Sequence, residues 1–214
     1  MKIEIGRDFP PYFRPAYPEE FDLFSHLEVA SAIPSAMFAI TTWKENGMPN
    51  VCLHAWSCFH GDKTAFFAVL GGLYQHTHTY ANMVRERCFC LNFLPASVYD
   101  RLVATIAHND LETDEFQVGG FALEKGKIIH APAIREAFMH LECTLVDMRD
   151  LSGAGITAMA VGQVERVAVE QDYAQGYARY GKDGFMLLVP GPQNLATGAP
   201  GQSAVAAVEI LRLD

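Results

Sequence analysis

The chain has 214 residues, half of them hydrophobic, and a net charge of −9; that supplies apolar surface for one continuous core and a charge that repels nucleic acid. Five cysteines (Cys52, Cys58, Cys88, Cys90, Cys143) stand at irregular spacings with no Cys-x-x-Cys, which fits neither a disulfide framework nor a zinc ribbon and predicts reduced thiols in a cytoplasmic protein. The N-terminus carries acids and no uncharged run of about 20 strongly apolar residues follows, so neither secretion nor a membrane span is expected.

Residues 1–18 hold Pro10, Pro11, Pro15 and Pro18 among aromatics, a pattern that predicts an extended arm lying on a surface. Met37–Thr42 and Val51–Trp56 flank a Glu45-Asn46-Gly47 turn and read as a hairpin. Strand-length apolar runs follow at Ala65–Leu70, Cys88–Leu94 and Leu141–Met148, and Met159–Val169 alternates imperfectly. Two helices are predicted, Thr79–Arg87 and Ser97–His108, the second capped by Ser97 with Leu102, Val103 and Ile106 on one face. Residues 190–203, with their prolines and glycines, read as a surface loop, and Ala204–Leu213 as a last strand. No repeat or linker interrupts residues 1–214, which are expected to form a single domain. Many short strands with few helices favour a closed or partly closed barrel.

No glycine-rich cradle for a dinucleotide or a nucleoside triphosphate occurs, so a nucleotide-like ligand must be held another way. The segment His76-Thr77-His78-Thr79-Tyr80-Ala81-Asn82-Met83 places hydroxyls, imidazoles and an amide where a helix starts. Such a start offers unpaired N–H groups to a phosphate; the alternative is that Thr79 only caps the helix and the histidines are solvated. Along Asn50–Ser57, the side chains of Asn50, Cys52, His54, Trp56 and Ser57 interleave polar and apolar groups. They could line a flat heterocycle, or the strand could be an ordinary half-buried one with Trp56 in the core. His76-x-His78 with His54, His60 or His108 lacks carboxylates at ligand spacing, so no metal site is assigned. Cys88, Cys90 and the Glu142-Cys143 pair read as core, and no side chain is assigned a catalytic role.

Taken in order, Pro34-Ser35-Ala36-Met37-Phe38-Ala39-Ile40-Thr41-Thr42, Gly47-Met48-Pro49-Asn50, His78-Thr79-Tyr80-Ala81-Asn82-Met83 and Phe89-Cys90-Leu91-Asn92-Phe93 resemble the flavin reductase-like, FMN-binding split-barrel family. Asp114-Glu115-Phe116 with Gly119-Gly120-Phe121, Pro132 to Ala137, Leu141-Glu142-Cys143 and Gly162-Gln163-Val164 extend the likeness from about residue 30 to 170. The resemblance implies a mainly β fold, a split β-barrel related to Greek-key barrels with a few short connecting helices. It implies noncovalent FMN, NADH or NADPH as reductant, and a homodimer with FMN sites near its interface. Carried over by position, Asn50, Cys52, Ala55, Trp56 and Ser57 are ring-side candidates, His76, Thr77, Thr79 and Asn82 phosphate-side candidates, and Asn92 a further contact. Many relatives carry Arg or Lys near the phosphate-binding threonine, where this chain has His76 and His78. The function implied is NAD(P)H-dependent flavin reduction. The alternatives are a flavoredoxin-type electron carrier working with a redox protein partner, or a non-catalytic flavin-binding module.

Overall fold

The computed structural model describes residues 2–14, 20–176, 180–191 and 194–211. The chain divides into two compact units, residues 1–35 with 187–206, and residues 36–186 with 207–214. Among the described residues no helix is long and apolar enough to cross a membrane.

The smaller unit begins with residues 2–14, which form neither helix nor strand, as their prolines dictate. Two short helices follow, α1 (Glu20–Leu23) and α2 (His26–Ser31). A capping box starts α2, with the Ser25 hydroxyl accepting a backbone N–H of the first turn and the Glu28 carboxylate reaching back to accept the Ser25 N–H. The aromatics of the arm find their partner here: the Phe9 and Phe13 rings stand edge-on to His26, with centroids 5.3 and 6.0 Å away. His26 Nε2 bonds in turn to the Gly6 carbonyl at 2.8 Å. Residues 15–18 of the predicted arm lie outside the described residues.

In the larger unit the strands are β1 (Ser35–Trp43), β2 (Pro49–His54), β3 (Ser57–Gly61), β4 (Phe66–Tyr74), β5 (Cys88–Phe93), β6 (Leu123–Lys125), β7 (Pro132–Ile134), β8 (Met139–Arg149) and β9 (Thr157–Val169). Its helices include α3 (His78–Glu86), α4 (Tyr99–Thr105) and α5 (Glu115–Gly119). The main sheet is antiparallel, in the order β2-β1-β5-β8-β9-β4-β3. That order carries a geometric consequence. Strands β2 and β3 stand at opposite ends of it, yet only Ala55 and Trp56 separate them in the chain, so the sheet must curl until its two ends meet. Register shifts in β8–β9 and β4–β9 supply the bends. The result is a mainly β, split-barrel fold.

The barrel core is built by Phe38 and Ile40 of β1 with Leu70, Phe89, Leu91, Leu141 and Ala160, closed by Met83 of α3. Gly162 is obligatory there, because a Cβ would overlap the Phe89 ring. The smaller unit later adds β10 (Met186–Val189) paired with β11 (Ala204–Ala207), and the described residues between them form the predicted loop.

Several sequence expectations change. The predicted second strand of the hairpin breaks at Ala55, where β2 ends and β3 begins two residues later. Ser97 is no helix cap: it lies inside a 3₁₀ turn, Ala96–Val98, and α4 starts only at Tyr99. Of its predicted apolar face only Leu102 is buried, whereas Val103 and Ile106 are exposed. The last strand stops at Ala207.

Candidate functional site

Residues two apart on a strand share a face, so β2 presents Asn50, Cys52 and His54 together, opposite Thr42, Ile40 and Phe38 of β1. Against this face α3 lays its first turns. The Asn50 amide donates to Thr79 Oγ1 at 3.0 Å, and the Asn82 amide to Thr42 Oγ1 at 3.0 Å. All four side chains are buried. Each bond therefore stands in a low-dielectric setting, where losing one partner leaves a costly unsatisfied group. These two bonds tie the predicted ring-side strand to the predicted phosphate-side helix.

The helix cap is Thr77, two residues earlier than the threonine the capping alternative named. Its hydroxyl accepts the Tyr80 N–H at 3.4 Å and donates to the Tyr74 carbonyl at 2.8 Å. Thr79 lies inside the first turn and has a different occupation, as the acceptor for Asn50. His76 is exposed, its ring beside Tyr74 with centroids 5.7 Å apart. Asn109, which the sequence reading missed, closes over the helix start: its amide donates to the His76 carbonyl at 3.4 Å and its oxygen accepts the His78 N–H at 3.5 Å. Only its place in the folded loop reveals it.

Ala55 and Trp56 form the link between β2 and β3. Ala55 is buried and Trp56 half-buried, and Trp56 has φ +56°, a left-handed backbone that costs a bulky residue about 1 kcal/mol. Its carbonyl accepts the Gly71 N–H at 2.7 Å, and Gly72 alongside is also left-handed at φ +65°. Strain of this kind persists only where surrounding contacts impose it. Ser57 then opens β3, paired with Leu70 of β4.

Asn92 does not join this set. It pairs with Ala39 across β1–β5, which puts it on the face of β1 opposite to Asn50, Cys52 and His54. Its amide is spent on the fold: Nδ2 donates to Thr41 Oγ1 at 2.9 Å and its oxygen accepts the Ile134 N–H at 2.8 Å. The spacing along Phe89–Phe93 could not reveal which face β5 turned inward.

Electrostatics narrows the roles further. Burial pushes the Cys52 thiol up to about 11, offset in part by a bond from Thr79 and reinforced by the nearby Glu115 carboxylate. Cys52 is therefore a neutral thiol and a poor nucleophile near neutral pH. Burial drives His54 down to about 4, with the Gly71 backbone partly opposing, so its imidazole is neutral above about pH 5. Of the free cysteines only Cys58 is exposed. Iodoacetamide at pH 8 is accordingly expected to modify Cys58 first and the other four at least ~100-fold more slowly in the folded protein. Peptide mass mapping reads the order, and early labelling of Cys52 would contradict the burial that raises it.

A flavin mononucleotide needs polar partners for its ring edge and its phosphate, and the site offers groups without partners of their own. The buried Nε2 atoms of His54 and His78 make no hydrogen bond, nor does Glu115 Oε2. The two imidazole nitrogens lie on β2 and at the start of α3, where they fit such a ligand as donors or acceptors, whereas the Glu115 oxygen, at the start of α5, can only accept. Among the described residues no three His, Cys, Asp or Glu side chains meet in a way that could hold a metal ion.

Comparison with known proteins gives the family. No curated protein matches the sequence at a significant level. Among solved structures, nitrilotriacetate monooxygenase component B from Bacillus cereus is similar with a TM-score of 0.70 at 15% identity, covering 99% of this chain and 100% of that one. Flavoredoxin from Methanosarcina acetivorans is similar with a TM-score of 0.69 at 16% identity, covering 100% and 95%. The FMN-binding protein from Thermus thermophilus, solved with p-hydroxybenzaldehyde, gives 0.67 at 16% identity, covering both chains fully at 100%. At these identities the likeness shows the fold. The sequence itself matches the flavin reductase like domain over residues 30–186, most of the chain and all of the β2–α3 site, and the protein belongs to that family.

Proposed function

We propose that residues 1–214 act as one cytoplasmic FMN-binding domain, homodimeric, that oxidises NADH or NADPH and passes the electrons on. The observation that carries the proposal is the junction of β2 with the start of α3, locked by Asn50 and Thr79, with partnerless buried imidazole nitrogens on both elements. In this reading Asn50, Cys52, Ala55, Trp56 and Ser57 border the ring, with His54 added to them. Thr77, Thr79, Asn82 and His76 surround the phosphate, with His78 added. The redox chemistry itself is supplied by the flavin. The chain binds and orients it: Asn50 and Asn82 hold the wall rigid, and the Trp56 backbone fixes the bend beside which the ring lies. Cys52 and His54, both neutral, keep that surface uncharged.

Flavoredoxins among the similar structures favour a second reading, in which the electrons come from and go to a redox protein partner and no nicotinamide is oxidised. One set of measurements decides. The purified protein is expected to bind FMN one to one per chain, with sedimentation giving twice the chain mass. No heat and no absorbance change at tens of micromolar FMN would sink the proposal. Anaerobic mixing of the loaded protein with NADH or NADPH then separates the readings, since bleaching of the flavin supports the reductase and a persistent yellow colour the carrier.

A further inference from the structure

A cavity of about 690 Å³ opens near the C-terminal end of α3, bordered by the β1–β2 turn and the β6–β7 hairpin. Six of its lining residues matter: Trp43, Glu45, Arg85, Glu86, Lys125 and His130. The volume lies within the range of small-molecule sites, and the walls are held in place. Glu142 accepts the N–H groups of Lys127, Ile128 and Ile129 at 3.0, 2.8 and 3.3 Å and pairs with Arg166 at 2.6 Å, which fixes the connection between β6 and β7.

The aromatic surface is Trp43 with His130, near-parallel at 28° and with centroids 6.2 Å apart. The charges around it are unequally occupied. Arg85 donates to the Trp43 carbonyl at 2.5 Å and pairs with Glu86 at 2.9 Å, while the other Glu86 oxygen holds His130 Nδ1 at 3.0 Å. Bonds from His130 and Arg85 keep the Glu86 carboxyl below its usual range, so its charge is real but already answered. Lys125 has no ion pair among the described residues. Glu45, also without an ion pair there, is an exposed residue of the β1–β2 turn. Arg85 and Glu86 answer each other, so the unpaired charges among these described residues are Glu45 on the exposed turn and Lys125, and Lys125 is the cation free to meet an anion laid against the aromatic face.

We propose that this cavity binds a planar aromatic carboxylate, its ring against Trp43 and its carboxylate toward the Lys125 ammonium. The assignment is independent of the flavin reading, since none of these residues belongs to the β2–α3 site.

The chain has two tryptophans, and that makes the test direct. With ¹⁵N-labelled indoles, Trp43 reports this cavity and Trp56 the flavin site, the two resonances being assigned by Trp43→Phe. Titration of the full-length, FMN-treated protein with 2-naphthoate is expected to shift the Trp43 resonance saturably, with a Kd on the order of 0.1 mM, and to leave Trp56 unmoved. Lys125→Ala should weaken naphthoate about fivefold, whereas 2-naphthylmethanol, which lacks the charge, should bind the wild type and Lys125→Ala alike. No saturation by about 10 mM, equal affinity of naphthoate for Lys125→Ala, or parallel movement of both indoles would each overturn the proposal. Because the FMN titration is read separately, this site can fail while the flavin reading stands, and the reverse.

Discussion

Replacing Lys44 by methionine is expected to cost about 3–5 kcal/mol of stability, the largest effect of any single substitution considered. Lys44 follows β1, and its side chain is fully buried. Its Nζ donates to the carbonyls of Asp110 and Thr113, both at 2.7 Å, and pairs with Glu115 Oε1 at 2.7 Å. Methionine fills the space but leaves two carbonyls and a buried carboxylate unanswered, and Glu115 Oε2 has no partner even in the wild type. Exchanging both, as Lys44→Met with Glu115→Leu, removes the stranded charge and should recover a large part of the loss.

The pH dependence has a definite sign. Burial holds the Glu115 carboxyl above its usual range, with Lys44 opposing. A carboxyl whose folded pKa is raised adds stability that is present below the unfolded value, about 4.3, and lost as pH rises through the folded one. Without Lys44 the folded value climbs further. The deficit of Lys44→Met should thus shrink toward about pH 4 and grow toward pH 8. Urea unfolding at both pH values reads it, and a single-variant loss below about 1 kcal/mol would show that the pair is not buried as described.

The second large effect concerns the two threonines at the start of α3, and it depends on the flavin proposal. Thr77 caps the helix, its hydroxyl proton committed to the Tyr74 carbonyl. Its replacement by alanine should lower stability by about 1 kcal/mol and weaken FMN and riboflavin alike. Thr79 accepts from Asn50, and its own proton, which faces the Cys52 sulfur, can turn to a bound anion, a stronger acceptor than a neutral thiol. Thr79→Ala should weaken FMN about tenfold or more, since a charge-assisted bond contributes roughly 1.5–3 kcal/mol, and leave riboflavin nearly unchanged. Dissociation constants for both flavins on both variants test this. Equal losses for the two flavins in Thr79→Ala would remove the phosphate from this helix start.

Much of the fold was legible because its signals are local. The Glu45–Gly47 turn between β-prone runs announced the β1–β2 hairpin, and the apolar runs at 88–94 and 141–148 announced β5 and β8. What escaped depended on partners distant in sequence. Val103 and Ile106 sit at helical spacing with Leu102, but only contact with the rest of the fold decides which of them is covered, and Leu102 alone is. Asn92 has the composition of a site residue, yet strand pairing turned it away from the candidate site. His54 and His78 were visible as polar residues in the right segments. Their significance appears only once burial is known and every nearby donor and acceptor has been counted. The Lys44–Glu115 pair, 71 positions apart in the chain, carried no local signal at all.

The two-residue link between β2 and β3 turns the sheet into a hoop fastened by a clasp. Each other neighbouring pair along the strand order is held by a hydrogen-bonded ladder, whereas its two ends are joined through the covalent bonds of Ala55 and Trp56. A circular permutant opened between those two residues would keep each of those ladders and lose only the clasp. The barrel could then uncurl as a strip without breaking a strand pair. A planar molecule seated at the clasp would act as the pin that fastens it, so that its grip on the hoop and the hoop's resistance to opening become one mechanical property.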